Sequence, residues 1–157
     1  MNENEIKQKK IQLLQQNIRS IRQIAGWTAE RLGKEIGVTK QTISDLENSK
    51  RPMTLTQYLA IRSILNDEIE SNNGNTVLPQ VIEILVDKGA EIEEEKYFEI
   101  KDTVETVAAS ASNGKRGASL AKIFIALLTS PGIISALTAL GIMLSQSGTG
   151  TTSGLKK

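Results

Sequence analysis

The 157-residue chain contains no cysteine and no histidine. Their absence excludes disulfides, thiolate and imidazole metal sites, Ser-His or Cys-His nucleophiles and histidine acid–base chemistry. Aromatic residues are only 3%, with one Trp, two Tyr and two Phe, and apolar residues reach 39%. Ile, Leu, Val and Ala must therefore fill the core, a composition that favours helices joined by short turns and an all-α fold. Gly-rich phosphate loops and internal repeats are also missing. Glu93, Glu94 and Glu95 are consecutive, so on a helix they diverge and form no metal cage. No catalytic residue, metal or cofactor is expected. The length suits one ordinary domain, or a small one with an appendage.

The formal net charge of +1 hides three blocks. Residues 1–65 carry eleven bases against six acids, residues 66–110 three against twelve, and residues 111–157 five bases and no acid. A basic head, an acidic middle and a basic, apolar tail look like separate working parts. The acidic block is either a protein-partner, sensor or dimerisation module at 77–110 or simply a solvated face. The N-terminus, Met-Asn-Glu-Asn-Glu, is polar and has no apolar run of a secretory signal. The head is expected in the cytoplasm.

Apolar residues at Ile11, Leu14, Ile18, Ile21 and Ile24 mark one face of a helix that Gly26 ends. Thr28 offers an N-cap for a short helix carrying Leu32 and Ile36 and closed by Gly37. Thr39 caps a third helix, with Ile43 and Leu46 inward. The stretch 48–52 is a loop, since Pro52 disfavours continued helix. A fourth helix over about Thr54–Leu65 is expected to bury Leu55, Leu59, Ile61 or the stem of Arg62, and Leu65. Residues 67–76 read as a linker, 77–110 as an acidic region of two amphipathic helices parted by Gly89, and 111–119 as a second linker. Residues 120–145 form an apolar segment, and 146–157, rich in Gly, Ser and Thr, are expected to be disordered.

Ile123 to Leu144 is uncharged over 22 residues. As one helix it would extend roughly 33 Å, enough for a bilayer core of about 30 Å. Lys115, Arg116 and Lys122 immediately before it would keep the head cytoplasmic. Ser130-Pro131-Gly132 argues instead for a fresh helix start and a hairpin within a soluble oligomer. Length tips the expectation towards membrane association through 120–145; a wholly soluble cytoplasmic protein is the alternative.

The sharpest signal is Gly26–Ser44, GWTAERLGKEIGVTKQTIS. Two short helices crossing steeply need a small residue where they approach, a turn with positive φ and apolar locks; Gly33, Gly37, and Val38 with Ile43 supply them. An ordinary helical hairpin could share this spacing, leaving Lys40 and Gln41 as solvated surface. Together with the L-E-N-x-K-R-P loop beyond it, however, the stretch resembles the Xre-type, Cro and phage-repressor helix-turn-helix family over residues 11–66.

That resemblance implies a compact four- to five-helix, lambda-repressor-like DNA-binding domain over 1–66. Its recognition helix would enter the major groove, with Lys40, Gln41, Ser44 and Asp45 at base edges. Lys40 would donate to guanine, Gln41 would pair with adenine, and Asp45 would accept from cytosine N4. Thr39, Thr42, Asn48, Lys50 and Arg51 would meet phosphates, fixing register without reading sequence. Arg22 and Glu47 resemble the family's structural ion pair. Trp27 is expected to pack at the corner between the first two helices, and Tyr58 to be core or a dimer contact. The implied function is a sequence-specific transcriptional regulator, a repressor acting on double-stranded DNA as a homodimer or higher homo-oligomer. A protein-interaction module, such as an antitoxin or membrane adaptor using the same head, is the alternative.

Overall fold

The computed structural model describes residues 1–144. Its regular elements are all helical: α1 (Glu3–Ala25), α2 (Ala29–Ile36), α3 (Lys40–Glu47), α4 (Leu55–Ser71), α5 (Val77–Ile82), α6 (Glu94–Ser112), α7 (Gly117–Leu127) and α8 (Pro131–Ala139). A π-turn, Glu83–Asp87, prolongs α5, and a 3₁₀ turn, Gly89–Glu91, leads towards α6. The stretch expected to be disordered, 146–157, lies outside the described residues.

A reciprocal capping box starts α1, with the Asn2 side chain accepting from the Glu5 N–H and the Glu5 carboxylate accepting from the Asn2 N–H, each at 2.9 Å. The helix then buries two stripes. Ile11, Leu14, Ile18, Ile21 and Ile24 form the one visible as an apolar periodicity; Leu13, Asn17 and Ser20 form the second, which meets the first at Ile24. Accordingly α1 meets α3 and α4 on one side and α5, the π-turn and α6 on another. One continuous core runs from the head to α8.

Residues 77–86 are not an amphipathic surface helix. Val77, Leu78, Val81, Ile82, Ile84, Leu85 and Val86 are all buried, as a helix apolar on most of its circumference must be. The exposed part of the acidic region 77–110 is therefore narrower than its composition implies. The first part of the region is largely interior, and the exposed acids are Glu91 and Glu93 before α6 and Glu94, Glu95, Glu99, Asp102 and Glu105 on its outer face.

The linkers are shorter than composition implies. Residues 67–71 continue α4, and Asn75 then ties the chain down by donating to the Ile24 carbonyl at 2.8 Å. Residues 111 and 112 complete α6 and 117–119 begin α7, leaving 113–116 as the loop. On α4 the inward residues are Ile61 and Leu65, whereas Leu55 and Leu59 stay 39% and 55% exposed. At 3.6 residues per turn those two leucines lie about a third of a turn away from the buried pair.

The uncharged segment is broken. The Ser130 hydroxyl accepts from the Ile133 N–H and Pro131 occupies the first turn of α8, so α7 and α8 meet at 102°. This is the physical reason the expected membrane helix over 120–145 is corrected: among the described residues no single helix is long and apolar enough to cross a membrane. Leu120, Ala121, Phe124, Leu128, Ile133 and Leu137 are instead buried, with α7 against α5 and α6 and α8 against α6. The Lys88 ammonium donates to the Leu140 carbonyl at 2.9 Å, closing the end of α8.

Candidate nucleic-acid interface

The α2–α3 corner is built by two glycines. Gly37 adopts φ +75° and ends α2, the Val38 N–H donating to the Gly33 carbonyl at 2.8 Å. The chain turns so tightly that a Cβ on Gly33 would lie 2.7 Å from the Val38 carbonyl oxygen. Val38 leads directly to Thr39, whose hydroxyl accepts from the Thr42 N–H at 3.1 Å and starts α3. Ile43 and Leu46 face the core, turning the opposite side of α3 outward.

Lys40 and Gln41 are exposed on that outward side, and Thr42 and Ser44 are half-buried. Thr39 is exposed, with its hydroxyl 3.1 Å from that of Thr42. Asp45 is placed differently from the expected base contact, at only 9% exposure. One carboxylate oxygen accepts from Gln41 Nε2 and the other from Arg51 Nη2, each at 2.9 Å. The Gln41 hydrogen bond is the main reason the Asp45 pKa falls below its usual value; Arg51 adds to the effect and burial opposes it. Asp45 thus fixes a base-reading candidate on one side and a phosphate-contact candidate on the other.

Beyond α3 the loop is held from α1. Gln15 Nε2 donates to the Leu46 and Arg51 carbonyls at 3.1 and 2.7 Å, and its Oε1 accepts from the Met53 N–H at 2.8 Å. Arg22 Nε donates to Glu47 Oε1 at 2.6 Å, with Arg22 Nη1 on the Trp27 carbonyl at 3.0 Å. Arg19 joins them, reaching Glu47 at 3.3 Å and Asn48 Oδ1 at 3.0 Å. The Asn48 amide nitrogen donates back to the Ser44 carbonyl at 2.9 Å, so this phosphate candidate is engaged at both ends. Lys50 is exposed and, like Lys40, makes no ion pair among the described residues.

Gln15 and Arg19 carry no signal in the sequence, where each reads as a surface polar residue beside an apolar stripe. Trp27 is buried at the α1–α2 corner, with the Arg31 guanidinium 5.4 Å from its ring centre. Among the described residues no group of three acids could hold a metal ion. What the surface offers is an outward helix with amide, hydroxyl and ammonium groups at its leading end and a basic loop behind it. That chemistry suits a polyanion with hydrogen-bonding edges.

The helix-turn-helix family model matches residues 18–66, which span the end of α1, the α2–α3 corner and most of α4. No curated protein and no solved structure matches the chain. The match and the geometry coincide on the same four helices: residues 18–66 belong to the Xre/Cro-like helix-turn-helix family of DNA-binding regulators.

Proposed function

We propose that the protein is a transcriptional repressor that binds operator DNA as a homodimer, with α3 in the major groove. The observation that carries this reading is the outward leading face of α3, where Lys40 and Gln41 are exposed. Gln41 gives one amide hydrogen to Asp45, which leaves its other hydrogen and Oε1 to engage adenine N7 and N6 together. Lys40 is suited to guanine, and Ser44 to a base edge further along. Thr39, Thr42, Lys50, Asn48 and Arg51 follow the phosphates. Asp45 acts as a positioning residue that limits the rotation of Gln41 and Arg51. The exposed Leu55 and Leu59 on α4 supply an apolar strip for a second copy, and two half-sites would double the phosphate contacts.

Selection of duplexes from a random library, followed by band shifts over a salt series, tests the reading. Gln41→Ala is expected to relax choice at one base pair, where a lost bidentate contact is worth about 1–3 kcal/mol. Lys50→Ala is expected to weaken all sequences alike and flatten the salt slope by about 0.9 per lost contact. Recovery of no preferred sequence would remove the regulator reading.

A further inference from the structure

The basic cluster at Lys115 and Arg116 lies outside the matched family region, ahead of a segment in which no single described helix is long and apolar enough to cross a membrane. The α6–α7 loop carries it elsewhere. Gly114 takes φ +96° while the Gly114 and Lys115 N–H groups bond back to the Ala111 and Ser110 carbonyls, each at 3.1 Å. This left-handed termination folds the chain sharply. The Arg116 side chain donates to the Ala111 and Lys115 carbonyls, and its guanidinium lies 3.7 Å from where a Cβ on Gly26 would stand. Arg116 therefore sits on the α1–α2 corner.

There it shares an open cavity of about 390 Å³ with Trp27, Thr28, Ala29, Glu30 and Lys40. Two features make the cavity attractive to an anion. Arg116 and Lys40 form no ion pair among the described residues, and Glu30 is the one carboxylate in the lining. The first turn of α2, at Ala29 and Glu30, carries N–H groups that lack partners within the helix. Trp27, 6% exposed, also lines the cavity, with its indole Nε1 buried behind the lining, so the ring is a neighbour that reports on the site.

We propose that this cavity is a DNA backbone-phosphate site and that Arg116 is its principal cation, so that the C-terminal helices contribute directly to the DNA-binding surface. The ligand is a phosphodiester oxygen one groove wall away from the bases read by α3, received by Arg116 and the N-terminus of α2, with the Lys40 ammonium adding positive charge from the start of α3. The geometry joins the cavity to the recognition helix through Lys40, which lines it and opens α3. The inference rests on the reading of α3 as the DNA-facing helix.

The experiment uses the full chain and a 24-bp duplex of random sequence, since a phosphate contact is indifferent to sequence. Arg116→Ala should bind roughly three- to tenfold more weakly near 0.1 M salt and show a salt slope shallower by about 0.9 per contact. Arg116→Lys should recover part of both. Lys122→Ala, which removes an equal charge outside the cavity, should leave the slope unchanged. The indole N–H resonance of the single tryptophan should move on addition of duplex and move far less in Arg116→Ala. Unchanged far-UV circular dichroism and melting of the variants separate contact loss from unfolding. Wild-type chain that binds no duplex overturns both this inference and the function on which it rests. Duplex binding with Arg116→Ala and wild type alike, or with Lys122→Ala equally impaired, overturns the inference alone. So does an Arg116-dependent indole shift produced by inorganic phosphate but not by duplex, which would assign the cavity to a small free anion.

Discussion

Ser49 is the only described residue other than glycine with a positive φ, at 55°. It ends α3 in the left-handed turn that aims Lys50 and Arg51, with the Lys50 N–H on the Asp45 carbonyl at 2.9 Å. A side chain in that conformation costs roughly 1–2 kcal/mol, partly offset by the greater freedom glycine would have when unfolded. Ser49→Gly should therefore raise stability by about 0.5–1 kcal/mol in denaturant titration, and a loss instead would show that the serine hydroxyl does more than its backbone suggests. The turn itself is readable in Pro52 and the polar run before it; the strain at Ser49 is not, because serine is at home in any loop. Asp45 was similarly half legible. Its place on α3 follows from the Thr39 cap, but its inward rotation depends on Gln41 and Arg51 being correctly spaced to receive both oxygens. That choice is made by three side chains together.

At the level of the helix, α1 is the element whose sequence says least about its full role. Its second stripe is interrupted by Asn17 and Ser20, so no apolar periodicity announces it. Asn17 is nevertheless 1% exposed. Its amide donates to the Leu13 carbonyl at 2.7 Å and to the Tyr97 hydroxyl at 2.8 Å, and that hydroxyl donates to the Leu85 carbonyl at 3.1 Å. The polar triad joins α1, the π-turn and α6 where they crowd. A Cβ on Gly89 would stand 2.9 Å from Leu13 Cδ1 and 3.0 Å from Tyr97 Cε2. Removing the hydroxyl takes a buried partner from both the Leu85 carbonyl and the Asn17 amide, so Tyr97→Phe should cost about 1–3 kcal/mol. Burial raises the Tyr97 pKa, with the Asn17 hydrogen bond opposing. A raised folded pKa means that the native state holds its proton more tightly. The stabilisation is complete below the ordinary tyrosine value of about 10 and is lost as pH climbs through the higher folded value. Alkaline melts should show that loss in wild type and a reduced one in Tyr97→Phe; identical profiles would place the titration elsewhere.

For the molecule as a whole, the head shares its core with the helices that follow. Arg62 of α4 pairs with Asp87 of the π-turn at 3.1 Å, Asn75 anchors the following segment to α1, and the core is continuous. A chain ending at Asn72 would expose Leu13 and leave Asn17 facing water beside it, with Leu13 alone worth about 1.5–3 kcal/mol of lost burial. Such a chain should melt well below the full-length protein, or without a cooperative transition. A sharp melt at the full-length temperature would show the head to be autonomous. Composition marks a change of character near residue 66 because charge is a surface property. It cannot reveal that the interior passes across that boundary undivided. The family match stops at residue 66 for the same reason: a tight crossing dictates residue types at fixed spacing, whereas an aliphatic core accepts many combinations.

The elbow between α7 and α8 has a last implication for how such a chain could change its address. One hydroxyl cap at Ser130 and one pyrrolidine ring at Pro131 separate a pair of half-buried struts from an unbroken rod. Straightened from Gly117 to Ala139, that rod would reach about 35 Å, the span of a lipid interior. A couple of substitutions would then decide whether the same apolar side chains serve as filling or as a hull fitting.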